Sequence, residues 1–365
     1  MQLLSLVLVF LFVKKVLLLK IHPDVGLSFA EQVKRHGYPI DIHEVITEDG
    51  YILSLFRIPY GIRGNNYQNR TENRSAVLFL HGMGGFPANW ISLGPKDSLT
   101  YYLADRGYDA WIMSTRGVDS PLQRKHLLYD WNDDMEYWDF SLHDIGVYDL
   151  PANIDYIRKY TKQERIFFVG HSAACPEFFI MMSEKPEYNN KIKIGTIYGA
   201  SPILKKLDYP MVILGSQLVD VVREMYSLLT SASFSRLSSR QILQYLDNLK
   251  TGEFRQYNYG SKINKKLYGT KVPPKYNLTR CETAVAFFSS TSDSFCILED
   301  LYESMNEIPN VILHYQIPFK RFTHIDFVFG RNSTYLVYEP TYRLFKDFDE
   351  GKVPSKRGKK YIFSN

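Results

Sequence analysis

The stretch IFFVGHSAACPEFF, Ile166 to Phe179, decides the fold. A run of apolar residues reads as a buried strand, Gly170-His171-Ser172 breaks it, and the residues after Ser172 return to helical spacing. A serine in the pattern G-x-S-x-G, on a sharp strand-to-helix turn, is lifted clear of a sheet and can act as a nucleophile. Ser172 could instead be a plain helix N-cap, the commoner role for an isolated serine. The preceding glycine and the buried-type strand favour the nucleophile. The second glycine of the pattern is replaced by Ala174. If the packing cannot relax, the extra methyl costs ~1 to 3 kcal/mol of stability, but it removes no reacting group.

Outward from this turn, short apolar runs alternate with longer helical patterns. Strands are expected at 51–59, 76–82, 108–113, 165–170, 193–200, 283–290 and 311–318. Helical spacing appears in LTYYLADRG, LHDIGVYDLPANIDYIRKY and AACPEFFIMMSEK. This alternation predicts an α/β fold with a mostly parallel central sheet flanked by helices. The rhythm stops between Ser201 and Arg280, where SRQILQYLDNLKTG puts Ile242, Leu243, Leu246 and Leu249 on one helical face before Gly252. A helical insertion at 201–280 reads as a cap over the carboxyl ends of the strands, where open α/β sheets bind ligands.

Acyl transfer requires a nucleophile, a base, an acid that orients the base, and oxyanion donors. On this kind of scaffold the chain order is Ser, then Asp or Glu, then His. Asp293 lies just past the strand TAVAFFSS and is the candidate acid; it could equally cap the helix that follows. Of the nine histidines only His314 and His324 follow it, and His314 falls inside a strand, which leaves His324 as the candidate base. The glycine-rich turn HGMGG, 81–85, offers the backbone N–H of Met83 as one oxyanion donor, and Ala173, after the serine, offers the other. The same glycines would also explain a tight turn with no chemical role.

Composition sets the remaining bounds. A net charge of +5, from 44 basic and 39 acidic residues, comes without a block of like charge mid-chain and argues against a nucleic-acid partner. Aromatic residues make up 15% of the chain, a weak pointer to an apolar ligand or interface. Leu3 to Val13 is an apolar run too short to span a bilayer and suited to a signal peptide over 1–20, with the domain proper over 21–365. The sequons at Asn69, Asn73, Asn277 and Asn332 suit a glycoprotein of the secretory pathway, secreted or lysosomal. Cys281 and Cys296 flank a strand rising ~3.3 Å per residue, beyond the ~7 Å reach of a disulfide, and Cys175 reads as a buried thiol. No Cys/His spacing suits zinc, and neither a cofactor nor an obligatory protein partner is implied.

EVITEDGYILSLFRIPYG, LFLHGMGGFPANW, SLTYYLADRGYDAWIMSTRG, WDFSLHDIGVYDLPANIDYI, VGHSAAC, GEFRQYNYGSKINKKLYG and IPFKRFTHIDFVFG together resemble the acid lipases, the group of gastric and lysosomal acid lipase and their insect relatives. The likeness runs from about His43 to beyond His324. It implies an α/β-hydrolase fold with a helical cap and lid, and hydrolysis of neutral lipid esters, triacylglycerols or cholesteryl esters, at a lipid–water interface. By the family pattern Ser172, Asp293 and His324 match the triad, and Met83 and Ala173 the oxyanion positions. The chain departs from that pattern in Ala173 and Ala174 where the elbow usually reads Gln-Gly, in lacking the mammalian cap cysteines, and in a shorter interval between Ser172 and Asp293. The rival expectations are a non-catalytic lipid-binding protein on the same scaffold and an esterase for short soluble esters.

Overall fold

The computed structural model describes residues 23–63, 74–118, 123–207, 238–353 and 361. The expected signal peptide, the sequons at Asn69 and Asn73, and the middle of the expected insertion, 208–237, lie outside the described residues.

The strands are β1 (Asp41–Ile46), β2 (Tyr51–Ile58), β3 (Ala76–Leu80), β4 (Asp109–Met113), β5 (Lys125–His126), β6 (Ile166–His171), β7 (Ile192–Tyr198), β8 (Ala284–Ser289) and β9 (Val311–Gln316). They form one sheet in the order β1-β2-β4-β3-β6-β7-β8-β9, with β5 paired to β2. β2 runs antiparallel to its neighbours, and the strands from β4 to β9 along this path pair in parallel. The expected strands are all present. β1 and β5 are additional. β1 alternates exposed and part-buried positions and carries Asp41, His43 and Glu44, so it lacks the continuous apolar run that marks a strand covered on both faces.

Parallel strands keep one direction by means of crossover connections, which lay helices on the sheet. The principal helices are α1 (Phe29–Arg35), α2 (Leu99–Ala104), α3 (Leu150–Thr161), α4 (Ala174–Glu184), α5 (Ser239–Thr251), α6 (Ser261–Tyr268), α7 (Leu298–Glu307) and α8 (Glu339–Asp349). Side-chain alternation splits the core in two. Leu78, Leu80, Ile166 and Phe168 face one layer, packed with Phe178, Phe179 and Met182, whereas Val77, Phe79, Phe167 and Val169 face the other with Leu344 and Phe345. Part of the aromatic content goes into these layers: Trp111, Tyr101, Phe79, Phe167, Phe168 and Phe178 are among the largest fully buried side chains.

Arg116, just past β4, is buried and bridges Asp149 at 2.7 Å and Asp49 at 2.6 Å, tying the approach to α3 to the β1–β2 turn. Cys175, Cys281 and Cys296 are free and buried, and burial pushes each thiol's pKa up.

Within 201–280 the described residues contain α5, α6, a short 3-10 turn and a lone antiparallel bridge between Arg255 and Lys275. α5 opens on a capping box, Ser238 with Gln241, and ends with Gly252 at φ +66°, the left-handed cap expected of that glycine. No helix among the described residues is long and apolar enough to cross a membrane.

Candidate active site

The carboxyl ends of β3, β6, β7 and β8 meet at Ser172. Its φ of +59° is one of two positive values among described non-glycine residues, a strained conformation for a side chain with a Cβ and a mark of the sharp turn. Two hydrogen bonds hold the turn: Ser172 N–H donates to the Tyr198 carbonyl at 3.1 Å, and Cys175 N–H donates to the Ser172 carbonyl at 2.9 Å. Ser172 is therefore not the N-cap of α4; Ala173 occupies that position.

The three distant polar residues converge. His324 Nε2 lies 2.9 Å from Ser172 Oγ, and its Nδ1 lies 3.0 Å from both carboxylate oxygens of Asp293. An ionised carboxylate only accepts, so Nδ1 carries the proton and the Nε2 lone pair faces the serine hydroxyl. Asp293 is 4% exposed, and its Oδ1 also accepts from the N–H groups of Phe295 at 2.8 Å and Cys296 at 3.0 Å. The alternative in which Asp293 caps the next helix does not hold, because α7 starts at Leu298 with Ile297 at its N-cap.

The loop after β3 presses against the elbow. A Cβ on Gly82 would lie 2.8 Å from Ser172 Cβ and 3.3 Å from its Oγ, so only glycine fits there. Met83, part-buried, follows and packs on the core. Among the described residues the backbone N–H groups of Met83 and Ala173 donate to no acceptor, as an oxyanion site requires.

Five contributors carried no signal in the sequence. His171 lies beneath His324 with ring centroids 4.7 Å apart, and its Nε2 lies 2.9 Å from the His324 carbonyl. Burial, and then the neighbouring His324, lower its pKa to about 3, so it is neutral and its Nε2–H donates to that carbonyl. Gly199, at φ +56°, leaves room for the Asp293 carboxylate. Phe295 stands 4.9 Å from the His324 ring, and Tyr245 of α5 joins Phe295 and Leu204 along the cleft beside Ser172. Each is set by contacts between residues far apart in the chain, which local patterns do not encode.

The profile described as "alpha/beta hydrolase fold" matches residues 75–274, and that of a "Partial alpha/beta-hydrolase lipase region" matches 29–94. Gastric triacylglycerol lipase of Homo sapiens is 31% identical over 374 residues, 87% of this chain and 92% of that protein. The chain belongs to the acid lipase family of α/β-hydrolases. Lipase 3 of Drosophila melanogaster is 29% identical over 380 residues, covering 87% of this chain and 93% of that protein. Lipase 1 of the same insect is 29% identical over 378 residues, 92% and 82% respectively. This acid lipase is accordingly a serine ester hydrolase of lipolytic type.

The altered elbow of this acid lipase is accommodated locally. Ala174 is fully buried, and its methyl occupies the space left by Gly170, whose own Cβ would sit 2.9 Å from it. The hydroxyl of Ser172 is not displaced, since it keeps its hydrogen bond to His324.

Proposed function

We propose that the chain hydrolyses neutral lipid esters, triacylglycerols or cholesteryl esters, through Ser172, His324 and Asp293. The continuous hydrogen-bond chain Asp293–His324–Ser172 supports this reading. His324 Nε2 takes the hydroxyl proton as Ser172 Oγ attacks the ester carbonyl, and the Met83 and Ala173 N–H groups stabilise the oxyanion. The tetrahedral intermediate collapses, the imidazolium protonates the leaving alcohol, and an acyl-serine remains. Water, deprotonated by the same Nε2, then attacks the acyl carbon and releases the acid. Asp293 remains ionised throughout, fixing the tautomer and stabilising the imidazolium.

Entry to the secretory pathway, for secretion or for the lysosome, belongs to the same proposal, as does action at a lipid–water interface. The exposure of Asn277 and Asn332 favours it, because both sequons are open to glycosylation.

The test is covalent labelling with an active-site fluorophosphonate, paired with hydrolysis of an emulsified triacylglycerol. A stoichiometric adduct on Ser172, absent from Ser172→Ala, together with turnover of the emulsion is the expected result. An unlabelled Ser172 in folded protein would overturn the reading, and labelling with activity confined to dissolved esters would overturn its lipid part.

A further inference from the structure

The cleft at Ser172 and His324 is lined by Ala173 and Pro176 of the elbow, Ala200 and Ser201 past β7, and three bulky side chains, Leu204, Tyr245 and Phe295. We propose that Tyr245, backed by Leu204 and Phe295, sets the acyl-chain length that the enzyme accepts and restricts it to esters of short- to medium-chain acids. This rests on Ser172 being the nucleophile.

The three bulky residues come from three segments, each fixed by its own polar contacts. Leu204 sits in a stretch clamped to α7: Ser304 Oγ accepts from Ile203 N–H at 3.2 Å, and Asp300 Oδ2 accepts from the N–H groups of Lys205 at 2.6 Å and Lys206 at 2.9 Å. Phe295 is held by its N–H bond to Asp293. Tyr245 projects from α5, which is capped at both ends. Behind this wall Leu204, Leu207 and Leu249 are buried and pack with Tyr245 and Phe295 as one cluster. A wall backed by close packing does not yield cheaply to a longer chain.

The cleft suits the acyl rather than the alcohol portion. It adjoins Ser172 and Ala173, the residues that hold the acyl carbon and its oxygen, and reaches Leu204 and Tyr245. The alcohol must instead leave once His324 has protonated it, and packed side chains along the cleft would hinder its departure. The Tyr245 hydroxyl bonds to no described residue, so ring bulk rather than a polar contact is the feature that limits the chain.

The experiment compares kcat/KM across p-nitrophenyl esters of four-, eight-, twelve- and sixteen-carbon acids in wild type, Tyr245→Ala, Leu204→Ala and Tyr245→Phe, each checked for folding by fluorophosphonate labelling. A second series varies the alcohol of a fixed butyrate ester. Tyr245→Ala and Leu204→Ala should each raise the twelve- to four-carbon ratio by about tenfold or more, while Tyr245→Phe keeps the wild-type ratio. Leu204→Ala carries the test if Tyr245→Ala does not fold. An unchanged acyl profile in the folded variants, a shift in the alcohol series instead, or a Tyr245→Phe shift as large as that of Tyr245→Ala would each overturn the proposal. Wild-type protein that is neither labelled nor active on any ester would instead overturn the nucleophile assignment, and the two failures are thus distinct.

Discussion

Gly199 lacks a side chain where the Asp293 carboxylate needs the space: a methyl there would lie 2.7 Å from Asp293 Oδ2 and 2.9 Å from the Phe327 ring. The backbone at +56° adds a cost of about 1 kcal/mol for any residue with a Cβ. Gly199→Ala should therefore push the carboxylate off the imidazole and lower kcat by roughly 100-fold, the order expected from a displacement of about an ångström. Steady-state kinetics on a soluble ester, with a melting curve to confirm folding, measures this; wild-type kcat would mean that the contact does not position Asp293.

Removing the charge of Asp293 while keeping its shape separates orientation from packing. Asp293→Asn should retain the Phe295 and Cys296 bonds through the amide oxygen, leaving the NH2 to face Nδ1. The imidazole then favours the wrong tautomer, and kcat should fall by about 10⁴. Fluorophosphonate labelling should slow in parallel, and a loss below tenfold would remove Asp293 from the catalytic group.

Gly170 and Ala174 act as a coupled pair. Gly170→Ala would bring two methyls within 2.9 Å and crowd the Phe168 ring, for a destabilisation of about 1 to 3 kcal/mol. Ala174→Gly alone should cost about 1 kcal/mol through helix propensity and a lost buried methyl. The double variant should then be more stable than the sum of the single effects, and urea unfolding of all four proteins measures the coupling. Strict additivity would show that the two positions do not compete for one space.

His171 makes stability depend on acid. Its pKa falls from an ordinary value near 6.5 to about 3 in the folded protein. Between those values the unfolded chain binds a proton that the native state refuses, so stability drops as pH falls through this window, by about 1.4 kcal/mol per unit at most. His171→Gln should flatten the slope of unfolding free energy between pH 6.5 and 4. An unaltered slope would assign the acid sensitivity to other groups.

Glu177 works in the opposite sense. It is buried in α4, its Oε2 has no hydrogen-bond partner among the described residues, and burial, with Asp149 adding to it, raises its pKa well above the usual carboxyl range. The native state holds a proton here that the unfolded chain releases, so this contribution is lost as pH rises through the folded value. Glu177→Gln should stabilise the protein at pH 7 by about 1 to 3 kcal/mol and leave it unchanged near pH 4, as chemical denaturation at the two pH values would reveal. Equal gains at both would mean that the carboxyl is not neutral in the fold.

What could be read from the chain was whatever burial writes into local pattern. β3 and β6 are covered on both faces and show it as unbroken apolar runs, and Ser172 is marked by the break that ends one of them. Asp293 and His324 were reachable by elimination, from chain order and strand ends. β1 was not, because Asp41, His43 and Glu44 interrupt its apolar residues and leave no run. Nor could Gly199, Gly82 or His171 be assigned a role, since each depends on how closely two remote segments approach. The cleft wall was hidden for the same reason, since Leu204, Tyr245 and Phe295 have no relation in sequence.

One carboxylate oxygen has two tenants. Asp293 Oδ1 reaches both the His324 ring and the Phe295 N–H, so the backbone that carries part of the cleft wall is anchored to the group that orients the imidazole. Changes at Phe295 therefore put turnover at risk, whereas Tyr245 and Leu204 hang on separate anchors. Divergence toward new substrates has an open route through the insertion and a nearly closed one through the 293–296 turn, so descendants of this enzyme should vary at the first and stay fixed at the second.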